Sequence, residues 1–172
     1  MAQPLRVGLL GYGAIARGVV RLLCAEDHVE LVGALVADPA RPRDAVAPRI
    51  LASVAELLEL RPDVVVEVAG HAALGCFGPP ILRAGIDLLL VSVGALAERS
   101  VERALVEAAS EGQSRAIVVS GAIGALDAIA AASVGGLTRV THTTRKPGRA
   151  LLSPSDAAEL REPRELFRGS AR

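Results

Sequence analysis

The chain has 172 residues, of which 51% are hydrophobic, and its 19 basic and 19 acidic residues give a formal net charge of zero. This length suits one domain with a sizeable core, or slightly more, and the balanced charge does not indicate a nucleic-acid partner. No stretch approaches 18 uninterrupted apolar residues, so we expect no membrane span. The two cysteines lie far apart in apolar surroundings, which predicts small buried thiols in a reducing cytoplasm and no metal site.

The first predicted element is a buried strand over residues 5–10, followed by the glycine-rich turn Gly11-Tyr12-Gly13-Ala14-Ile15-Ala16. This turn fits the pattern G-x-G-x-x-G/A, in which the first glycine allows a tight turn and the second lets the backbone approach a pyrophosphate. Apolar residues then recur at helical spacing, so a phosphate would meet a helix N-terminus. We interpret the loop as a dinucleotide-binding site formed by Gly11, Gly13, Ala14 and Ile15, against the alternative of a purely structural turn.

A second strand is predicted over residues 29–36, and Asp38 follows it, 22 residues after Ala16. An acidic residue near this position commonly accepts hydrogen bonds from the adenosine ribose hydroxyls, which favours NAD. Asp38 also precedes Pro39, a context that suits a plain turn. Arg41 and Arg43 come next, and a guanidinium there could accommodate a 2′-phosphate instead. The predicted cofactor is therefore NAD or NADP.

The remaining elements up to residue 136 alternate between strands and helices, which predicts an α/β fold with a doubly wound, Rossmann-type parallel sheet. Glu67, Gly70 and His71 stand at a predicted strand end and are expected near the crevice, although His71 also suits an exposed loop or a helix cap. Gly85 and Gly112 are expected to end two of the helices. The predicted strands cover 63–68, 86–93 and 115–119, and the predicted helices cover 53–60, 72–84 with an interruption near Pro79, 98–110 and 125–133.

The pattern changes after residue 136. Residues 137–144 are rich in threonine and alternate with period two, which predicts a strand exposed on one face. Pro154, Ser155 and Asp156 are predicted to start a short helix that covers 157–161, and another strand is predicted over 164–167. We therefore divide the chain into a dinucleotide-binding domain, residues 1–136, and the beginning of a second, α+β domain, residues 137–172.

Five stretches, in order along the whole chain, resemble the bacterial and archaeal L-aspartate dehydrogenase family. They are residues 11–15, 65–69, 91–97, 120–128 and 143–147, and the most specific are Ser120-Gly121-Ala122-Ile123-Gly124 and Thr143-Thr144-Arg145-Lys146-Pro147. The resemblance implies interconversion of L-aspartate and iminoaspartate, linked to NAD or NADP, by a homodimer that supplies NAD (pyridine nucleotide) biosynthesis. It also implies that residues 137–172 begin the substrate, catalytic and dimerisation domain.

The same resemblance implies roles for further residues. Ala122 would lie near the nicotinamide, and Arg145 and Lys146 could neutralise the substrate carboxylates, although a solvated strand end explains these two cations equally well. The family's catalytic histidine lies in an Asn-x-His segment beyond the end of this chain. We therefore expect an incomplete, truncated second domain, no catalytic residue within it, and little or no activity. The alternatives are a non-catalytic dinucleotide-binding module and another small Rossmann reductase acting on an imine or carbonyl.

Overall fold

The computed structural model describes residues 3–120, 126–148, 152–159, 162–166 and 168–169. The chain divides into two compact units, Met1–Gly121 and Ala122–Arg172. The domain boundary expected after residue 136 stays a prediction. Within the described residues, no helix combines the length and the apolar character needed to cross a membrane.

One six-stranded parallel sheet organises the first unit, and its strands are β1 (Leu5–Leu10), β2 (Val29–Leu35), β3 (Ile50–Leu51), β4 (Val64–Glu67), β5 (Asp87–Leu90) and β6 (Ala116–Val118). They lie in the order β3-β2-β1-β4-β5-β6. The central strand β1 has β2 on one side and β4 on the other, so the chain changes winding direction beside it. This arrangement is the doubly wound, Rossmann-type sheet that the alternating pattern predicts, and it creates a crevice at the carboxyl ends of β1 and β4.

Helices cover both faces of this sheet, because successive strand residues point to opposite sides. Leu10 and Val65 belong to one buried cluster, which combines residues of neighbouring strands with helical residues such as Leu57, Leu74 and Leu105. Leu9 points to the opposite face and packs with Ala16 and Val20 of the first helix. The helices of the first unit are α1 (Ala14–Leu23), α2 (Val54–Glu59), α3 (His71–Arg83), a 3₁₀ helix (Val93–Ala97) and α4 (Arg99–Gly112), and those of the second unit are α5 (Leu126–Ser133) and α6 (Pro154–Glu159).

Helix α3 is continuous through Pro79 and Pro80, so the predicted interruption near these residues was wrong. A proline inside a helix costs about 3 kcal/mol, because it lacks a donor and its ring crowds the carbonyl four residues earlier. Here Pro79 itself is buried, as are Ile81 and Leu82. Packing of this stripe against the sheet and α4 therefore outweighs the local preference for a break.

The two glycines expected to end helices behave differently. Gly85 follows the end of α3 with φ +79°, as a glycine cap should. Gly112 is still helical, and the left-handed residue after α4 is Gln113, with φ 53°. A Cβ on Gly112 would lie 1.9 Å from the Leu82 carbonyl oxygen, so this glycine permits the close approach of α4 to the end of α3. The prediction that Gly112 ends α4 was wrong, because Gln113 takes the left-handed conformation that a glycine cap would take.

The second unit departs from the prediction at both expected strands. Residues 137–144 form no strand, and neither do residues 164–166, whereas Phe167 lies outside the described residues. Alternating polar and apolar residues suit the two faces of a strand, but a strand forms only where a neighbouring strand supplies backbone hydrogen-bond partners. Helix α6 begins at Pro154, among the residues predicted to start it, and the Ser153 hydroxyl caps it by accepting a hydrogen bond from the Asp156 N–H at 3.2 Å.

Both thiols, predicted to be buried, are exposed. Cys76 lies two residues from both Leu74 and Gly78, which belong to the buried stripe of α3, and therefore faces away from it. Cys24 comes directly after the last residue of α1. The prediction of burial was therefore wrong, because apolar neighbours in the sequence do not determine which face of a helix a residue occupies.

Candidate functional site

A cavity of about 690 Å³ opens at the carboxyl ends of β1, β2 and β4, entirely within the first unit. Ligands of open, doubly wound sheets bind at this edge, beside the strand where the winding direction changes. The lining residues come from the glycine-rich turn, the loop after β2 and the end of β4: Gly11, Tyr12, Gly13, Ala14, Arg17, Val36, Ala37, Asp38, Arg41, Pro42, Arg43, Asp44, Val68 and Ala69.

Gly11 makes the tight turn that the motif predicts. Its φ is +99°, and its N–H donates to the Leu35 carbonyl oxygen at 2.8 Å. A Cβ at this position would lie 2.8 Å from the Cα of Ala69. Both the backbone conformation and the close approach to β4's following turn therefore require a glycine.

Gly13 precedes α1 and leaves the helix N-terminus open. It provides no side-chain cap, and a Cβ built on it would meet no atom within 4 Å. The first N–H groups of a helix have no partner within the helix, so those of Ala14 and Ile15 are available to an anion. The side chain of Ala14 lines the cavity, whereas that of Ile15 is 56% exposed and does not. The loop therefore suits a diphosphate bound by backbone groups.

The loop after β2 is held together by its own polar groups. The Oδ1 atom of Asp38 accepts a hydrogen bond from the Ala40 N–H at 3.0 Å, which is the plain turn considered above. The Arg43 guanidinium donates to the carbonyl oxygens of Asp38 at 2.6 Å, Pro39 at 3.1 Å and Arg41 at 2.6 Å. Within the described residues, the Arg41 guanidinium and the second carboxylate oxygen of Asp38 have no hydrogen-bond partner, although both residues line the cavity.

Tyr12 joins the glycine-rich turn to this loop. Its hydroxyl donates to Asp44 Oδ1 at 2.9 Å, and both residues line the cavity. Burial raises the pKa of the Tyr12 hydroxyl, and the hydrogen bond to Asp44 and its charge add to the increase, while Arg17 and Arg21 oppose it. Sequence reasoning missed this contact because no local pattern relates two residues that are 32 positions apart.

Glu67 is fully buried, and its carboxylate is surrounded by donors. Oε1 accepts from the N–H groups of Ala69 at 2.8 Å and Gly70 at 2.9 Å and from the Ser92 hydroxyl at 2.8 Å. Oε2 accepts from the Ser92 N–H at 2.8 Å. The sequence places Glu67 at the crevice but does not reveal these partners; a charged residue in an otherwise apolar strand is the signal that it must have some.

The other predicted residues are less closely grouped. His71 is the exposed first residue of α3, and its ring lies 2.8 Å from the point where a Cβ on Gly94 would be. Ala122 lies outside the described residues. Arg145 and Lys146 are exposed and belong to an irregular segment of the second unit. The structure thus brings Gly11, Gly13, Ala14 and Asp38 to one cavity.

Comparison with known proteins agrees with this geometry. Residues 11–119 match the family described as homoserine dehydrogenase, NAD binding domain. The L-aspartate dehydrogenase of Ralstonia pickettii is 42% identical over 180 residues, which cover 98% of this chain and 67% of that protein. The L-aspartate dehydrogenase of Cupriavidus taiwanensis is 44% identical over 178 residues, covering 98% of this chain and 66% of that protein. The chain belongs to the L-aspartate dehydrogenase family.

This family member carries an NAD(P)-binding domain in its first unit, and it spans about two thirds of the length of the curated relatives it matches. Its fold is shared with solved dehydrogenases. The crystal structure of aspartate dehydrogenase from Thermotoga maritima is similar with a TM-score of 0.58 and 21% identity, over 74% of this chain and 50% of that one. The Rossmann-type fold and the NAD(P) cofactor predicted from the sequence are confirmed.

Proposed function

We propose that this chain binds NAD or NADP in the crevice at the carboxyl edge of the sheet and serves the interconversion of L-aspartate and iminoaspartate. The observation that carries the proposal is the 42–44% identity, over 98% of the chain, to relatives named L-aspartate dehydrogenase. The open glycine-rich turn supports it independently, because a dinucleotide needs a backbone cradle at this place in the sheet.

The pyrophosphate would be held by Gly11 and Gly13, together with the N–H groups of Ala14 and Ile15. The space beside Gly13 supports this assignment, since nothing lies within 4 Å of a Cβ built there. The adenosine ribose would meet the Asp38 carboxylate oxygen that is not used in the turn. The residues present therefore fit the cofactor's anionic and hydroxyl-bearing parts.

In the proposed reaction L-aspartate loses a hydride from its α-carbon and a proton from its amine, which gives iminoaspartate. The bound nicotinamide supplies the hydride acceptor. Ala122 is proposed to lie against the nicotinamide, and Arg145 and Lys146 are proposed to bind the two substrate carboxylates, because a dicarboxylate needs paired cations. Binding of the pyrophosphate and the adenosine ribose is thus assigned to the first unit, whereas Ala122, Arg145 and Lys146 all belong to the second.

Titration with NADH and with NADPH, followed by nicotinamide fluorescence, tests the cofactor part of the proposal. We expect saturable binding by the unchanged chain and none by Gly13→Val, whose side chain would fill the space beside the turn. Circular dichroism of both proteins controls for folding. Failure of the folded, unchanged chain to bind either nucleotide would contradict the proposal.

Incubation with L-aspartate and NAD or NADP tests the catalytic part. Slow turnover of L-aspartate by residues 1–172 stays a prediction. Its physical basis is that a general acid or base positioned at the substrate typically increases the reaction rate by about 10²–10⁴-fold. A catalytic histidine is often oriented by a carboxylate. Among the described residues, the histidine that contacts a carboxylate is His28, which lies 3.6 Å from Glu26, just before β2 and away from the crevice. Cofactor binding without turnover of any amino acid would favour the non-catalytic module, and turnover of a different imine or carbonyl would favour another reductase.

We further propose that the protein works in the cytoplasm as a homodimer, as the family resemblance implies. Size-exclusion chromatography with light scattering measures the mass of the assembly directly. A monomeric mass at micromolar concentration would contradict the dimer, and recovery in a membrane or secreted fraction after cell fractionation would contradict the location.

A further inference from the structure

The buried carboxylate of Glu67 ties together the segments that follow β4 and β5. Its partners are three backbone N–H groups, of Ala69, Gly70 and Ser92, and the Ser92 hydroxyl, at distances of 2.8–2.9 Å. An N–H group can only donate, so both carboxylate oxygens must accept. A buried acid without such partners would be strongly destabilising, and the four donors offset that cost. We name this arrangement, formed by Glu67, Ala69, Gly70 and Ser92, the Glu67 clamp.

The clamp lies beneath one particular side of the crevice. In the sheet Glu67 is paired with Leu90, so the clamp joins the carboxyl ends of two adjacent parallel strands. Ala69 lines the cavity and approaches the turn at Gly11, and Gly70 is the residue that precedes α3. Ser92 precedes the 3₁₀ helix Val93–Ala97. One carboxylate therefore fixes the turn beside the pyrophosphate loop, the start of α3 and the start of the 3₁₀ helix.

The order of the strands assigns this side to one half of a dinucleotide. The dinucleotide of a doubly wound sheet spans the crevice at the point where the winding direction changes, which here lies between β1 and β4. Asp38 follows β2 and marks the adenosine side. The nicotinamide half would then extend over β4 and β5, directly above the Glu67 clamp.

We propose that Glu67 is a positioning residue for the nicotinamide half of the cofactor and acts through the turns at Ala69–Gly70 and Ser92–Gly94. It does not touch the cofactor, because its oxygens are occupied by the protein's own donors. This inference rests on the proposed cofactor site. Within that site, Asp38 and the glycine-rich turn bind the adenosine diphosphate half of the cofactor, and the Glu67 clamp orients the protein surface that contacts the nicotinamide half.

The test compares two ligands, NADH and 5′-ADP, on Glu67→Gln and on the unchanged chain. Glutamine keeps the size but replaces one acceptor oxygen with an NH₂ group, so at least one backbone N–H of the clamp loses its acceptor. We expect the Kd for NADH to rise about tenfold and the Kd for 5′-ADP, which lacks the nicotinamide half, to stay within about twofold. The exposed Glu59→Gln on α2 makes the same chemical change outside the clamp and should alter neither Kd.

Ser92→Ala provides a second variant that keeps the carboxylate and all three backbone donors. It removes one hydrogen bond of the clamp, so we expect a smaller rise in the Kd for NADH and none for 5′-ADP; it carries the test if Glu67→Gln does not fold. Equal weakening of both ligands would overturn the inference, as would unchanged NADH binding by the folded variants. If the unchanged chain binds 5′-ADP but not NADH, the inference fails while the adenosine site stands, and if it binds neither, the proposed cofactor site fails as well.

Discussion

At the scale of single residues, the two glycines of the motif serve different purposes. Gly11 has φ +99° and lies against Ala69, so the fold itself requires it. Gly13 has φ −94° and open space beside it, so the fold does not. A sequence motif treats both as equivalent signals, whereas the structure separates a folding requirement from a binding requirement.

This difference predicts opposite results for two alanine variants. Gly11→Ala places a Cβ 2.8 Å from Ala69 in a left-handed conformation, so we expect a loss of about 2–5 kcal/mol of unfolding free energy. Gly13→Ala should change stability by no more than about 0.5 kcal/mol while weakening NADH binding. Urea unfolding and NADH titration of both variants measure the two effects. A stable Gly11→Ala, or an unstable Gly13→Ala, would contradict the assignment.

The two arginines after β2 are also predicted to differ. Arg43 holds the loop through three backbone carbonyls, so Arg43→Ala should weaken NADH and NADPH binding to a similar extent. Arg41 lines the cavity, and its guanidinium has no partner among the described residues, so Arg41→Ala should weaken NADPH binding selectively, by about tenfold. Arg103→Ala, an exposed change on α4, controls for the lost charge. Selective loss of NADPH binding in Arg43→Ala would reverse these roles.

At the scale of elements, helix packing explains what local preferences do not. Helices α3 and α4 lie side by side on one face of the sheet, and their contact needs small residues where the backbones approach. A Cβ on Gly78 would lie 2.6 Å from Leu105 Cδ2, and one on Gly112 would lie 1.9 Å from the Leu82 carbonyl oxygen. Both glycines lie within their helices, at positions of close packing.

We predict that Gly112→Ala lowers the free energy of unfolding by at least about 1–3 kcal/mol. The new Cβ would overlap the backbone carbonyl oxygen of Leu82, which can move away only if α3 moves with it. Gly75→Ala is the matched control on α3. Its new Cβ would make an ordinary contact of 3.5 Å with Val101, so the better helix propensity of alanine should stabilise the protein by up to about 1 kcal/mol. Urea unfolding of both variants checks the contrast, and destabilisation by Gly75→Ala alone would contradict it.

The ion pair between β5 and the residue before β6 predicts a pH dependence. Arg115 donates side-chain hydrogen bonds to Asp87 Oδ2 at 2.6 and 3.0 Å and its backbone N–H to Oδ1, and the Arg115 side chain lowers the pKa of the Asp87 carboxyl. A lowered pKa stabilises the fold above the unfolded value of about 3.9, and this stabilisation is lost as pH falls through the lowered folded value.

Asp87→Asn should therefore lower the urea midpoint at pH 7, and this effect should become smaller as the pH falls below about 4. The effect should be small, because Arg115 is 75% exposed and solvent screens the pair. Asp27→Asn, an exposed carboxylate without a hydrogen bond among the described residues, is the control and should not shift the midpoint. A larger effect of Asp87→Asn at pH 2 than at pH 7 would contradict the sign of the pKa shift.

At the scale of the whole molecule, the cavity beside the glycine-rich turn is lined by the first unit alone, since every residue lining it lies before Gly121. Binding there should stabilise the folded chain, because a ligand that binds only the native state adds about 2.7 kcal/mol at a concentration 100 times its Kd. We therefore predict that saturating NADH raises the Tm of the unchanged chain and not that of Gly13→Val. Equal shifts in both proteins would mean that NADH binds elsewhere.

The sequence by itself determined the features that depend on neighbours along the chain. The strand and helix alternation and the glycine-rich turn both follow from spacing within a few residues, and the structure contains both. The family could be recognised for the same reason, because its motifs are short and keep their order.

Only the tertiary structure decided the features whose partners are distant in sequence. The partners of Glu67 include Ser92, 25 residues away, and Tyr12 bonds to Asp44, 32 residues away. The continuity of α3 and the helical role of Gly112 depend on packing against other elements, and residues 137–144 alternate like a strand yet form none among the described residues. Hydrogen-bond partners and packing surfaces come from segments brought together by folding, so local periodicity cannot specify them.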